Sequence, residues 1–360
     1  MTKIAEYQIK KNDFAETRLL ERELIDLGEG EILVRIDRFA LTANNVTYAV
    51  VGDKIRYWEF FPTGEEDWGI VPVWGFADVE KSNHSEIAEG ERLYGYWPMA
   101  SHLVMAPDKV RANRFVDGAP RRRDLPAVYN AYSRMTHEIG YDGDMDNERM
   151  TLYPLYATSF CIYDFLKDKD WFGADRVLVL SASSKTAIGL AYAIAGDDAP
   201  PRLSGMTSKG NVEAVRNLSI YDEVFTYDEA GSIPENIPTV IIDMSGDGGV
   251  LNTLHKRLGE AMRYTSNVGI THFEENKMGP DFIRDRSEMF FAPGHIAKRA
   301  QDWGPGEFEK RAGLFWHQAA LKSRSWLTIQ QASGAEAVDA AWREVLAGRV
   351  APNAAWVVGM

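Results

Sequence analysis

Residues 176–196 read RVLVLSASSKTAIGLAYAIAG. Val177 to Leu180 form a continuous apolar run, the pattern of a strand buried on both faces. The run ends in the small polar residues Ser181–Ser184, and TAIGLAYAIAG then has helical character. Strand, small-residue turn and helix in that order predict one βα unit. Reading outward, RLSGMTS (202–208) is a second short strand, and KGNVEAVRNLSIYD (209–222) is a helix with apolar residues three and four apart. DEVFTY, TVIIDMSG and AMRYTSNVGI complete a series of buried-type strands, with helical GGVLNTLHKRLGE between the last two. Strands alternating with helices at this spacing predict an α/β fold with a doubly wound parallel sheet covered on both faces.

The flanks have a different texture. Up to about residue 117 the chain reads as short strands and turns, with Ile32, Val34 and Ile36 at period two and Arg35 and Asp37 facing the other way. One short helix is expected near TANNVTYAVVGD. The stretch 118–150 is polar and Gly/Asp-rich, and reads as an ordered loop insertion. From about 291 two helices are expected, EFEKRAGLFWHQAALKS and GAEAVDAAWREVLAG, before a terminal strand AAWVVGM. The expected organisation is a β-rich domain over 1–150, a nucleotide-binding domain over 151–290, and a return to the first over 291–360.

Composition narrows the function. Lys and Arg number 40 against 53 Asp and Glu, a formal charge of −13, with no long basic run. That argues against nucleic acid or an acidic membrane as the main partner. The lone Cys161 rules out an intrachain disulfide and a thiolate cluster. No apolar run approaches the ~18 residues of a membrane span, and the start lacks a signal-peptide core. A cytoplasmic protein acting on a small molecule is expected.

The junction after Leu180 carries the chemistry. A parallel strand running into a helix N-terminus presents free N–H groups and a positive dipole end, where phosphates bind. Ser183, Ser184 and Thr186 add hydroxyls and Lys185 adds a charge. A Walker A loop is absent, since Val179 and Ser184 hold its glycine positions, and so is the G-x-G-x-x-G fingerprint. An ordinary turn with a serine N-cap has the same appearance. At the second turn an NAD site would place an acid on the ribose 2′-hydroxyl. Here stand Thr207, Ser208 and Lys209, which suit a 2′-phosphate and point to NADP(H), the alternative being a solvated helix start.

In this order the pieces resemble the medium-chain dehydrogenase/reductase superfamily, in its zinc-independent, quinone-oxidoreductase-like branch. GEILVRIDRFALTANNVTYAVVGD resembles the first strand and helix of that family's catalytic domain. VPVWGFADVEKSNHSEIAEGERLYGYWPMASHLVMAPDKV is similar to its run through the Gly-Asp-Arg-Val turn. YATSFCIYDFL resembles the helix entering the nucleotide domain, with Thr158 in the family's Thr position, and the C-terminal EAVDAAWREVLAGRVAPNAAWVVGM its closing helix and strand. The resemblance implies a GroES-like β-rich catalytic domain plus a Rossmann domain, an NADP(H) cofactor and a homodimer. Zinc-bearing members use a Gly-His-Glu where this chain has Trp74–Gly75–Phe76, and Cys161 lies on the wrong helix. Asn44, Asn45 and Tyr48 fall where relatives line the nicotinamide pocket, with Tyr48 as a proton donor or a packed aromatic.

Other candidates follow from position. Ser245–Gly246 ends the fourth strand and His272 the fifth, and ligands bind outside the carboxyl ends of such strands. Phe290–Phe291 is expected near the domain cleft by family analogy. Tyr57, Trp58, Phe60, Phe61, Trp68 and Trp74 form a dense aromatic cluster, suited to a substrate wall, a dimer interface or core packing. Tyr163–Lys167 has the Tyr-x-x-x-Lys spacing of short-chain dehydrogenases but precedes the nucleotide unit, so it reads as chance. No G-x-S-x-G elbow supports a serine hydrolase. The expected activity is metal-free reduction of a carbonyl, enone or quinone-like molecule. A lyase or retro-aldol enzyme on the same fold, and a non-catalytic NADP(H) sensor, stay open.

Overall fold

The computed structural model describes residues 3–24, 26–54, 56–138, 140–268, 278–290 and 292–360. The N-terminal hairpin β1 (Lys3–Lys10) and β2 (Asp13–Glu23) is followed by β3 (Ile32–Leu41) and the short helix α1 (Ala43–Val50). Next come β4 (Trp68–Gly69), β5 (Pro72–Ser82), β6 (Arg92–Pro98), β7 (His102–Met105), β8 (Pro107–Asp108) and β9 (Arg114–Asp117). On β3, Ile32, Val34 and Ile36 are buried and Arg35 is exposed. Leu33 is buried as well, so the alternation is only partial.

The 118–150 segment is more than a loop. It supplies β10 (Ala131–Arg134), which pairs antiparallel with both β6 and β9. Tyr132 and Arg134 point to the buried side, Arg134 on Glu91 at 2.7 Å. A four-residue strand containing Ser and Arg carries too short an apolar signal to be seen in the sequence.

Helix α2 (Asp146–Asp168) carries the chain out of this unit, which comprises Met1–Thr151 and Thr328–Met360. The second unit, Leu152–Leu327, contains β11 (Arg176–Leu180), α3 (Lys185–Ala195), β12 (Arg202–Thr207), α4 (Val212–Asn217) and β13 (Glu223–Thr226). It continues with β14 (Thr239–Asp243), α5 (Gly248–Leu258), β15 (Met262–Asn267), β16 (Ser287–Met289), α6 (Ala292–Trp303) and α7 (Glu307–Ser323). Six parallel strands lie in the order β13-β12-β11-β14-β15-β16. The order reverses beside β11, the crevice where ligands of open α/β sheets bind. Every residue of β11 and β14 is buried. One face of the sheet packs Val177, Val179, Leu190 and Ile242, the other Leu178, Leu180, Leu251 and Leu254. Gly189 lets α3 approach α2 closely: a Cβ there would lie 2.7 Å from Ser159 Oγ.

The chain crosses back at Thr328, and not at 291. Phe308 and Ala312 of α7 bury against Cys161, and Arg299 of α6 pairs with Asp164, which ties both helices to α2. Helix α6 is missing from the sequence reading because it opens Ala-Pro-Gly; proline is tolerated in a first turn. The return adds β17 (Thr328–Ser333), α8 (Ala335–Leu346) and β18 (Ala354–Gly359). These complete a nine-stranded sheet in the order β17-β18-β3-β5-β6-β10-β9-β8, with β7 also on β3.

Candidate functional site

The turn after β11 is built around a residue that glycine would normally occupy. Ser181 has φ +55°, in the left-handed region that costs an L-residue about 1–2 kcal/mol. Its N–H donates to the Tyr227 hydroxyl at 3.1 Å, and its Oγ lies 3.2 Å from the same oxygen. The Ala182 N–H donates to Met206 O at 3.0 Å, and the Tyr221 hydroxyl to Ala182 O at 3.1 Å. Ser184 caps α3, its Oγ accepting from the Ala187 N–H at 3.3 Å. The N–H groups of Ser183 and Thr186 have no hydrogen-bond partner among the described residues. They lie at the positive end of the α3 dipole. Lys185 is the first residue of α3, and burial pushes its ammonium pKa down to about 8.

The second βα turn converges on the first. Thr207 Oγ1 donates to Ser183 Oγ at 3.3 Å, and Asn211 Nδ2 to the same oxygen at 3.2 Å. Ser208 and Lys209 are exposed. Lys209 does not stand alone: its Nζ meets Asp228 Oδ2 at 2.5 Å, which raises the lysine's pKa. Sequence reasoning missed Asn211, Tyr227 and Asp228, because Asn211 reaches Ser183 through the pairing of β11 with β12, and Tyr227 and Asp228 follow β13, which the sheet order sets beside β12.

The other cofactor candidates are more committed to structure. Ser245 and Gly246 turn around the buried Asp243, whose carboxylate accepts from Ser245 N at 2.8 Å, Ser245 Oγ at 2.6 Å and Gly246 N at 3.2 Å. Burial outweighs these bonds and raises the Asp243 pKa. Thr158 bonds back to Pro154 O within α2, at 3.1 Å. Phe290 packs on Phe165 at 5.7 Å. His272 and Phe291 lie outside the described residues. Tyr163 and Lys167 share Asp197, at 2.7 and 2.6 Å, just past the C-terminal end of α3. A helix of 11 residues places that pair roughly 16 Å from the serine turn.

In the first unit, Asn45 is a structural residue. Its Oδ1 accepts from the Thr42 N–H at 2.8 Å and its Nδ2 donates to Pro72 O at 3.1 Å, closing the N-terminus of α1. Asn44 is half-buried beside Tyr48 and hydrogen-bonds its hydroxyl. The Tyr48 hydroxyl also accepts from Trp74 Nε1 at 3.4 Å. Burial drives the Tyr48 pKa far above the usual phenol range. Of the aromatic cluster read in the sequence, Tyr57, Phe60, Phe61 and Trp74 do gather, together with Tyr96 and Tyr129. Trp58 lies instead under Gly52 and Gly69, and Trp68 carries the Arg18 guanidinium at 4.1 Å. Among the described residues no three His, Cys, Asp or Glu side chains gather as a metal site, and no helix is long and apolar enough to cross a membrane.

Solved structures share this architecture at low identity. CurA from Vibrio vulnificus in complex with NADPH matches at TM-score 0.63 and 14% identity, over 95% of this chain and 93% of that one. The CurK enoyl reductase matches at TM-score 0.60 and 14% identity, over 99% and 98%. A putative NADPH:quinone reductase from Bacillus thuringiensis matches at TM-score 0.57 and 12% identity, over 99% of each chain. The likeness establishes the fold, a GroES-like β-rich unit with a Rossmann unit. No curated protein matches the chain. The pattern of one family matches residues 39–351, well over half of the sequence. The chain therefore belongs to the family described as protein of unknown function DUF2855.

Proposed function

We propose that this protein is an NADP(H)-dependent oxidoreductase of the medium-chain type, reducing a small carbonyl, enone or quinone-like molecule. The observation that carries this reading is the turn after β11, where the Ser183 and Thr186 N–H groups stand unpartnered at a helix N-terminus with Lys185 between them. A dinucleotide pyrophosphate suits that arrangement. Thr207, Ser208 and Lys209 follow at the second turn, where a 2′-phosphate would be held. The similar CurA structure is a complex with NADPH and the similar Bacillus thuringiensis protein is a putative NADPH:quinone reductase, which supports the same cofactor here.

When bound, the cofactor supplies a hydride. The work left to the protein is orientation and hydrogen bonding. Asn45 holds the start of α1 and so positions Asn44 and Tyr48. Tyr48 stays protonated at any physiological pH, because burial disfavours the phenolate. It therefore serves as a hydrogen-bond donor to a substrate oxygen that gains charge, and solvent supplies the net proton. The proposed reduction is metal-independent, a reading supported by Trp74–Gly75–Phe76 standing where zinc-bearing members of the resembled superfamily carry Gly-His-Glu.

Titration of the apo protein with NADPH and NADH tests the reading, followed by tryptophan fluorescence and calorimetry. Binding that prefers NADPH, with oxidation of NADPH on adding an enone or quinone and slower turnover in Tyr48→Phe, is the expected result. Absence of binding by either nucleotide would overturn it.

A further inference from the structure

The loop that follows α1 borders a cavity of about 360 Å³ in the first unit, a size that suits a small organic molecule. Its floor is buried: Gly52, Trp58 and Thr63 line it, and Trp58 is only 5% exposed. An indole N–H can only donate, and a buried one normally has an acceptor. Trp58 Nε1 has none among the described residues. It lies against Gly52 on the cavity wall, where a Cβ would stand 2.2 Å from it, so glycine is what leaves the nitrogen uncovered. Thr63 Oγ1 is already committed, donating to Trp68 O at 2.9 Å and accepting from the Glu65 N–H at 3.1 Å.

The rim is charged. Asp53, Glu59, Glu65 and Glu66 are exposed, and Lys11, half-buried, lines the same cavity. Two of the four carboxylates are neutralised by arginines that do not line the cavity. Arg56 holds Glu59 through two hydrogen bonds, at 2.8 and 2.7 Å, and Arg18 pairs with Glu65. Asp53, Glu66 and Lys11 form no ion pair among the described residues. The unmatched groups are therefore two carboxylates, one ammonium and one buried N–H donor.

The complement of these groups is a molecule with one anionic oxygen group, for Lys11 and the Trp58 N–H, and two cations, for Asp53 and Glu66. We propose that this cavity binds a small cationic amino acid, with its carboxylate inward. Such a molecule carries a carboxylate, an α-ammonium and a charged side chain, and its net charge cancels that of the unpaired lining. Burial sets the orientation: the carboxylate meets the two donors at the floor, while the cations stay at the rim, where water still solvates them. None of these residues belongs to the reductase assignment, so binding requires no nucleotide and the two readings are tested separately.

The test is calorimetric titration of the whole chain, without nucleotide and at low ionic strength, with L-arginine, agmatine and L-citrulline. Agmatine lacks the carboxylate, and citrulline lacks the side-chain charge. Arginine is expected to bind, and each analogue to bind at least roughly 10-fold more weakly. Lys11→Gln should lower arginine affinity towards that of agmatine without weakening agmatine itself. The double variant Asp53→Asn with Glu66→Gln should weaken arginine at least roughly 10-fold, because both cations lose their partners. These side chains are exposed or half-buried, so their replacement leaves the core intact. No arginine binding, equal binding of either analogue, or unchanged arginine affinity in Lys11→Gln and in the double variant overturns the proposal. The comparison of the three ligands on the wild-type protein decides it should a variant fail to fold.

Discussion

The Tyr227 hydroxyl holds Ser181 from two sides, 3.1 Å from its backbone nitrogen and 3.2 Å from its Oγ, while Ser181 sits at φ +55°. A dinucleotide turn normally obtains that backbone conformation from glycine at no steric cost. Here a serine adopts it, and a tyrosine from the adjoining segment of chain offsets the strain. Tyr227→Phe is therefore expected to lower stability by about 1 kcal/mol and to weaken NADPH binding. Ser181→Gly removes the strain, so the double variant should regain the lost affinity. Chemical denaturation and nucleotide titration measure both effects, and a double variant no better than Tyr227→Phe would refute the link.

The ion pair between Lys209 and Asp228 bears on cofactor choice. Both side chains are largely exposed, 77% and 68%, so the pair is weak and opens readily. Lys209→Ala should reduce NADPH affinity roughly 10-fold and leave NADH affinity unchanged. Asp228→Asn should raise NADPH affinity, because it releases the lysine and removes a carboxylate from beside the 2′-phosphate. Parallel titrations with the two nucleotides check this, and equal effects on both would end the 2′-phosphate assignment.

Lys185 predicts a pH dependence. Its pKa in the apo protein is lowered to about 8 by burial, so it is mainly charged at pH 7 and mainly neutral at pH 9. If it binds the pyrophosphate, NADPH affinity falls as pH rises through 8. Lys185→Arg keeps its charge across this range and should flatten the profile. A slope that survives in the arginine variant would assign the titration to another group.

His255 predicts acid sensitivity of the second unit. Its Nδ1 accepts from the Ile283 N–H at 2.8 Å and its Nε2 lies 3.0 Å from Thr265 Oγ1, so the folded protein holds the ring neutral. Burial pushes its pKa down to about 4 from the ordinary 6.5. A histidine lowered in this way contributes full stability above pH 6.5, and loses it as pH falls from 6.5 through 4. The loss amounts to about 3 kcal/mol. Urea midpoints at pH 7 and pH 4.5 should differ more in the wild type than in His255→Asn, and an equal difference would exclude His255 as the source.

The local patterns of this chain determined its fold. The apolar run Val177–Leu180, the serine turn, the helical periodicity after it and the alternation of such units specify a parallel sheet, because each depends on neighbours along the chain. Ser183, Lys185 and Thr207 could be named as candidates on the same ground, being placed at the ends of strands. What surrounds them could not. Ser181 meets Tyr227 across 46 residues and Tyr57 meets Tyr129 across 72. Asn45 looks catalytic in the sequence, yet its amide is spent on the Thr42 N–H and the Pro72 carbonyl. Lys209 looks free and is paired with Asp228, because β12 and β13 align in parallel and bring Thr207 opposite Thr226. Secondary structure follows from short-range sterics and burial periodicity, whereas the partner of a hydrogen-bonding side chain is set by strand order and register, which only the assembled tertiary structure decides.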